Sequence, residues 1–188
     1  MDKGYTLLEL LTVLAIVSIL LAIGVPALNQ LHQDNRQTAI INEFAGHLRM
    51  AREHAVRQHA RVMLCTQKGG SSHCSTTTHW ENGWLLFEDQ NTNGTCVDNN
   101  GDGRCDDDGG RILASHSGLP KGLTLRTSRQ SASHAFRISA SGTTGDNTFF
   151  SLCDRRGSAA AKGLAIIYTG RVRLAPASDL PPCPATIT

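Results

Sequence analysis

Aromatic side chains are scarce in this chain: two tryptophans, two tyrosines and five phenylalanines among 188 residues. That scarcity argues against a platform on which the bases of a single nucleic-acid strand stack. Catalytic signatures are missing as well. There is no Walker A phosphate loop and no GxSxG elbow, and His47, His54 and His59 lack the HExxH spacing of a zinc enzyme. No nucleophile–base pair stands out, so the chain reads as a non-enzyme. Overall charge is nearly balanced, at +2. One long stretch has almost no charge of either sign. Between Gly4 and Leu28 only Glu9 is charged, and the other polar side chains are the hydroxyls of Tyr5, Thr6, Thr12 and Ser18.

That stretch, GYTLLELLTVLAIVSILLAIGVPAL, exceeds the roughly 20 apolar residues needed to cross a bilayer core. It is too long for the apolar core of a removed secretory signal, about 7–15 residues. Only Met-Asp-Lys-Gly precedes it. The positive charge of Lys3 places the N-terminus on the cytoplasmic side and exports the remainder. Glu9 is expensive inside an apolar run and implies a partner. Pro26 is expected to kink or locally unwind the helix.

Gly4 followed by Tyr5-Thr6-Leu7-Leu8-Glu9-Leu10 resembles the class III signal of type IV prepilins and type II secretion pseudopilins. The resemblance implies that a prepilin peptidase cleaves after Gly4 and that the new N-terminus at Tyr5 is methylated. It makes Glu9 the fifth mature residue and an assembly residue, whose carboxylate meets a neighbouring subunit's α-amine in the filament core. Tyr5 departs from the phenylalanine that usually begins the mature chain.

The chain thus divides into a leader (1–4), a membrane and filament-core helix (5–28), an amphipathic continuation (29–60) and an exported β-rich domain (61–188). In the continuation Ile41, Phe44, Leu48, Ala51 and Ala55 recur at steps of three and four, an apolar helical stripe. The charges around it, among them Arg36, Glu43, Arg49, Arg52, Glu53 and Arg57, read as a solvated face. The same helix therefore runs for more than about 50 residues and lays its second half on a globular domain.

Six cysteines, Cys65, Cys74, Cys96, Cys105, Cys153 and Cys183, all fall in the exported part. An even number in an oxidising periplasm predicts disulfides. Fifteen connectivities exist for six cysteines, and sequential pairing is the expected one. Its last pair ties the proline-rich tail back onto a sheet. Charge is uneven along this part. From His79 to Gly110 eight acids face one arginine, a net of −7. From Arg111 onward ten bases face three acids, a net of +7.

Strands are expected at Val62–Cys65, within Trp80–Phe87, and at 111–114, 123–126, 135–139, 148–153, 164–168 and 171–174. Tyr168-Thr169-Gly170-Arg171 suggests a tight hairpin with Gly170 at positive φ. A helix carrying Ala51-Arg52 and Ala55, a strand ending in Leu64-Cys65, and Trp80-x-x-Gly83-Trp84-x-x-Phe87 resemble the FimT/FimU/GspH group of minor pilins and pseudopilins, FimT most closely. The group's fold is α+β, the type IV pilin fold: a long N-terminal helix packed on antiparallel sheets. The tryptophans read as core.

Two places could bind a ligand. Asp98, Asn100 and Asp102, followed by Gly103, match the first half of a calcium loop. Position 12 of that loop would be Gly109, so it does not close as a calcium site needs. An acidic turn stapled by Cys96–Cys105 is the plainer reading, and no other cofactor is implied. The second place is Gly170-Arg171-Val172-Arg173. In a strand, Arg171 and Arg173 project together while Val172 and Leu174 face the core. Guanidinium forks suit phosphates. Lys162, Arg155 and Arg156 extend the patch in this reading. It would bind the DNA backbone without reading bases. The Gly-Arg-x-Arg pattern resembles FimT members linked to DNA uptake in natural transformation. A solvated hairpin edge guarded by arginine is the competing reading. The resemblance implies other pilins as partners, an inner-membrane anchor with the domain in the periplasm, and incorporation into a pilus. It leaves open a purely structural minor pilin and the H pseudopilin of type II secretion.

Overall fold

The computed structural model describes residues 6–107, 109–128 and 134–185. They fall into two compact units, Met1–Ala39 and Ile40–Thr188. Helix α1 runs unbroken over Leu7–Gln58, 52 residues, with Pro26 inside it. The expected unwinding at the proline is thus not an interruption of the helix.

In the first unit the apolar side chains from Leu7 to Leu31 are exposed. The hydroxyls among them are satisfied within the helix. Thr12 donates to the Glu9 carbonyl at 2.9 Å and Ser18 to the Leu14 carbonyl at 2.7 Å. Back-bonding of this kind lets hydroxyls sit in an apolar segment without water.

In the second unit two antiparallel four-stranded sheets share a core with the later turns of α1. The first contains β1 (Val62–Thr66), β2 (Gly83–Glu88), β3 (Ile112–Ser117) and β5 (Ala135–Ile138), in the order β3-β2-β1-β5. The second contains β4 (Leu123–Thr127), β6 (Thr148–Asp154), β7 (Lys162–Ile166) and β8 (Val172–Leu174), in the order β4-β6-β7-β8. The α+β architecture expected from the sequence is the one observed.

The helical stripe does what its period predicts: Ile41, Phe44, Leu48, Ala51 and Ala55 are all buried. Phe44 stands at the centre of an aromatic cluster. Its ring meets Trp84 at 4.8 Å, Phe150 at 4.9 Å and Trp80 at 6.2 Å, each edge to face. Such pairs add about 0.5–1.5 kcal/mol each beyond the area they bury. Both tryptophans are core, as expected. Trp80–Asn82 forms a 3-10 turn, however, and the strand begins only at Gly83.

Strands β1 and β2 are buried on both faces, and alternation sorts their side chains. Val62, Leu64, Trp84 and Leu86 join the core beneath α1, while Met63, Cys65, Leu85 and Phe87 form a second cluster with Cys96 and Cys105. The acidic loop between β2 and β3 therefore covers the outer face of the first sheet. All three disulfides follow the sequential pairing: Cys65–Cys74, Cys96–Cys105 and Cys153–Cys183.

Candidate functional site

The β7–β8 hairpin starts from a local turn. The Gly170 N–H donates to the Ile167 carbonyl at 2.7 Å, and the Ile167 N–H donates to the Arg171 carbonyl at 3.1 Å. Gly170 has φ +73°, the left-handed conformation that glycine adopts without strain. This is the expected turn, shifted toward the N-terminus. Strand β7, expected to reach Tyr168, ends at Ile166, because the turn consumes the next residues. Tyr168 is 59% exposed.

Neighbouring segments pin this turn. The Tyr168 carbonyl accepts from the Thr144 N–H at 2.9 Å. The Thr169 carbonyl accepts from Arg52 Nε on α1 at 3.1 Å. The Tyr168 N–H donates to Asn147 Oδ1 at 2.8 Å. Gly170 itself has no room for a side chain, since a Cβ there would stand 2.0 Å from the Gly142 carbonyl oxygen. The glycine of the Gly-Arg-x-Arg pattern thus has a packing role, and Arg171 emerges from a fixed piece of backbone.

Arg171 and Arg173 are both exposed. Among the described residues neither guanidinium has a hydrogen-bond or ion-pair partner, and the same is true of the exposed Arg155 side chain. The other expected members of the patch sit elsewhere. Lys162 begins β7, five residues before the turn, which at 3.2–3.4 Å per residue is about 17 Å along the strand. Arg155 and Arg156 lie before it, in the turn that follows β6. Arg156 is committed to Asp154: its Nε and a terminal nitrogen both donate to Oδ2, at 2.9 and 2.7 Å. Burial pushes the Asp154 carboxyl up, but the hydrogen bonds from Arg156 outweigh it and hold its pKa below the ordinary value. The loop feeding the hairpin thus adjoins the end of β7 away from the turn, with Arg173 between them, opposite Ala165.

The expectation that Val172 and Leu174 both face the core holds only for the first. Val172 packs against the core cluster, whereas Leu174 is 72% exposed. Strand β8 is the sheet's edge, and the cover above it stops at Val172. Arg173 pairs with Ala165 across the strands, so it faces away from Val172.

The acidic loop uses its oxygens on itself. Asp98 accepts from the Gly101 N–H at 2.7 Å and the Gly103 N–H at 3.1 Å. The Asn100 side chain accepts from the Asp102 N–H, and Asp102 from the Arg104 N–H, each at 2.9 Å. Among the described residues no group of three or more His, Cys, Asp or Glu side chains is placed to hold a metal. These are side-chain-closed turns, stapled by the Cys96–Cys105 disulfide.

Gly4 and Tyr5 lie outside the described residues. Glu9 is exposed on the apolar part of α1, and among the described residues its carboxylate has no partner. An unpaired carboxylate in an apolar run is out of place in a lone chain.

A long apolar N-terminal helix followed by a helix-on-sheet unit of this topology defines a pilin-type subunit. The model of the prokaryotic N-terminal methylation motif matches residues 1–25. That of type II transport protein GspH matches residues 41–170, and the chain belongs to this family. Its members are structural subunits of the pilin and pseudopilin kind rather than enzymes. Among solved structures, the type IV minor pilin FimU of Pseudomonas aeruginosa is 22% identical over 79% of this chain and 95% of its own, with a TM-score of 0.57. The minor pseudopilin EpsH of the Vibrio cholerae type 2 secretion system is 11% identical over 74% of this chain and 96% of its own, with a TM-score of 0.49. No curated protein matches the chain.

Two residues that the sequence left on a solvated helix face, Arg49 and Arg52, line the same groove as Arg171. Their helical spacing was readable. Their apposition to a hairpin 117 positions further along was not.

Proposed function

We propose that this protein is a minor pilin of a type IV pilus that binds DNA for uptake in natural transformation. The observation that carries this reading is the pair of exposed, unpartnered guanidiniums, Arg171 and Arg173, around a backbone-pinned hairpin. They belong to a stretch, from Arg111 onward, whose net charge of +7 suits a phosphate partner. Binding goes to the backbone and is indifferent to sequence. Before assembly the protein waits in the inner membrane, with its globular unit in the periplasm. The peptidase cuts after Gly4, Tyr5 is methylated, and Glu9 pairs with a neighbouring subunit's α-amine. Its unpartnered carboxylate supports that role.

The test uses the full chain in detergent micelles and a short fluorescent duplex. The unaltered protein should bind, and Arg171→Ala with Arg173→Ala should weaken binding by about a hundredfold, as expected for two charge-assisted hydrogen bonds at about tenfold each. Equal weak binding by both proteins would remove the DNA function. The family match over residues 41–170 favours a second reading, a structural subunit that primes assembly of a pilus or a secretion pseudopilus. That reading predicts indifference to both arginines.

A further inference from the structure

Between α1 and the β7–β8 hairpin lies a groove of about 520 Å³, within the size range of small-molecule sites. Arg49, Arg52 and Arg57 line it from the helix and Arg171 from the hairpin, against one carboxylate, Glu53. Glu53 already pairs with Arg57 at 3.4 Å. The remaining three guanidiniums are uncompensated. Arg49 and Arg171 have no partner among the described residues, and Arg52 gives only its Nε, to the Thr169 carbonyl. Three like charges gathered around one concavity repel one another until an anion enters it.

The groove is also built to keep its shape. Gly142 and Gly170 approach so closely that a Cβ on Gly142 would stand 2.6 Å from Val56 Cγ2, and one on Gly170 would stand 3.0 Å from Arg52 Nε. These two glycines let the loop before β6, the hairpin and the helix converge. Val56 and Val172 add apolar surface to the lining, suited to the carbon face of a sugar. Arg173 is not part of it.

We propose that this groove seats a backbone phosphate of nucleic acid between the guanidiniums of Arg49, Arg52 and Arg171. The inference rests on the DNA reading and deepens it: the binding surface includes a helix face as well as the hairpin. Arg52 has a double part, tethering the turn through Nε and facing the phosphate with its terminal nitrogens. Glu53 limits affinity, being the one acid in the site.

The experiment titrates the full chain in detergent micelles with a short DNA duplex at several salt concentrations. It compares Arg49→Gln, Arg171→Gln and Glu53→Gln with Arg137→Gln, which removes an exposed charge outside the groove. Melting curves confirm that each variant folds. Arg49→Gln should lower affinity about tenfold beyond the Arg137→Gln effect, the scale of one charge-assisted hydrogen bond. It should also reduce the slope of log K against log salt by about 0.9. Glu53→Gln should tighten binding, a gain that misfolding does not produce. Arg49→Gln behaving like Arg137→Gln, while Arg171→Gln still loses affinity, would overturn the groove and leave the DNA reading standing. No binding by the unaltered chain would overturn both.

Discussion

His47 shows how one side chain can tie the helix to the sheet. It lies on α1, and its Nδ1 accepts from Trp84 Nε1 at 2.9 Å. An indole N–H can only donate, so His47 must present a bare Nδ1 and be neutral. Burial lowers its pKa from the ordinary 6.5; Glu43 opposes this and His116 adds to it. His116 in turn stacks on Trp84, with centroids 4.1 Å apart, and its Nε2 lies 3.4 Å from a Glu43 oxygen. A histidine with a lowered pKa binds fewer protons folded than unfolded, so stability falls as pH drops below about 6.5. Thermal melting from pH 7.5 to 5.5 should show a decline that His47→Gln abolishes. An unchanged decline in the variant would assign it to other groups. Glu81 acts lower on the scale. Burial raises its pKa, but hydrogen bonds from Arg126 and His79 outweigh that and bring it below the ordinary value. Its contribution is present above the unfolded pKa and is lost as pH falls through the folded one.

At the scale of elements, the tail behaves as a strap. The Ala175 N–H donates to the Gly163 carbonyl at 3.0 Å, and the Cys183 N–H donates to Ser158 Oγ at 3.1 Å. Leu180 sits where a Cβ on Gly163 would be, 2.2 Å from its Cδ2. Cys153–Cys183 closes a separation of 30 residues, which in the chain-entropy model is worth about 3–4 kcal/mol. Replacing both cysteines by alanine should lower denaturant stability by roughly that amount, with the sheets retained in far-UV circular dichroism. A loss under about 1 kcal/mol would mean that the tail is held by its hydrogen bonds and packing alone.

The elements differ in how legible they were. The stripe from Ile41 to Ala55, and the buried Phe136 and Ile138 on either side of exposed Arg137, report directly on burial, because period and exposed face are local properties. The two-sided burial of β1 and β2 was not legible. Met63 and Phe87 need a cover, and that cover is a loop of Asp, Asn and Gly whose composition suggests only turns and calcium. Leu174 misled for a related reason: alternation says which face a side chain takes but not whether anything lies over that face. The groove was least legible, since Arg49 and Arg171 meet only after two sheets and a helix have been assembled.

For the whole molecule, the two units separate what the protein attaches to from what it presents. The exposed apolar helix from Leu7 to Leu31 and the methylation motif over residues 1–25 fit membrane anchoring and entry into a filament. Mass spectrometry of membrane-extracted protein from a host with an active prepilin peptidase should find a chain beginning at methylated Tyr5. An intact Met1 would remove the processing step and, with it, the pairing proposed for Glu9.

The central claim is that the globular unit presents arginines to the DNA backbone. The most direct measurement is the salt dependence of duplex binding by the full chain beside the Arg171→Ala/Arg173→Ala variant. Counterion release predicts a linear fall of log K with log salt, steeper in the unaltered protein by about 0.9 for each phosphate that Arg171 and Arg173 neutralise. Parallel lines of equal height would contradict the account and leave a filament subunit whose arginines guard a sheet edge.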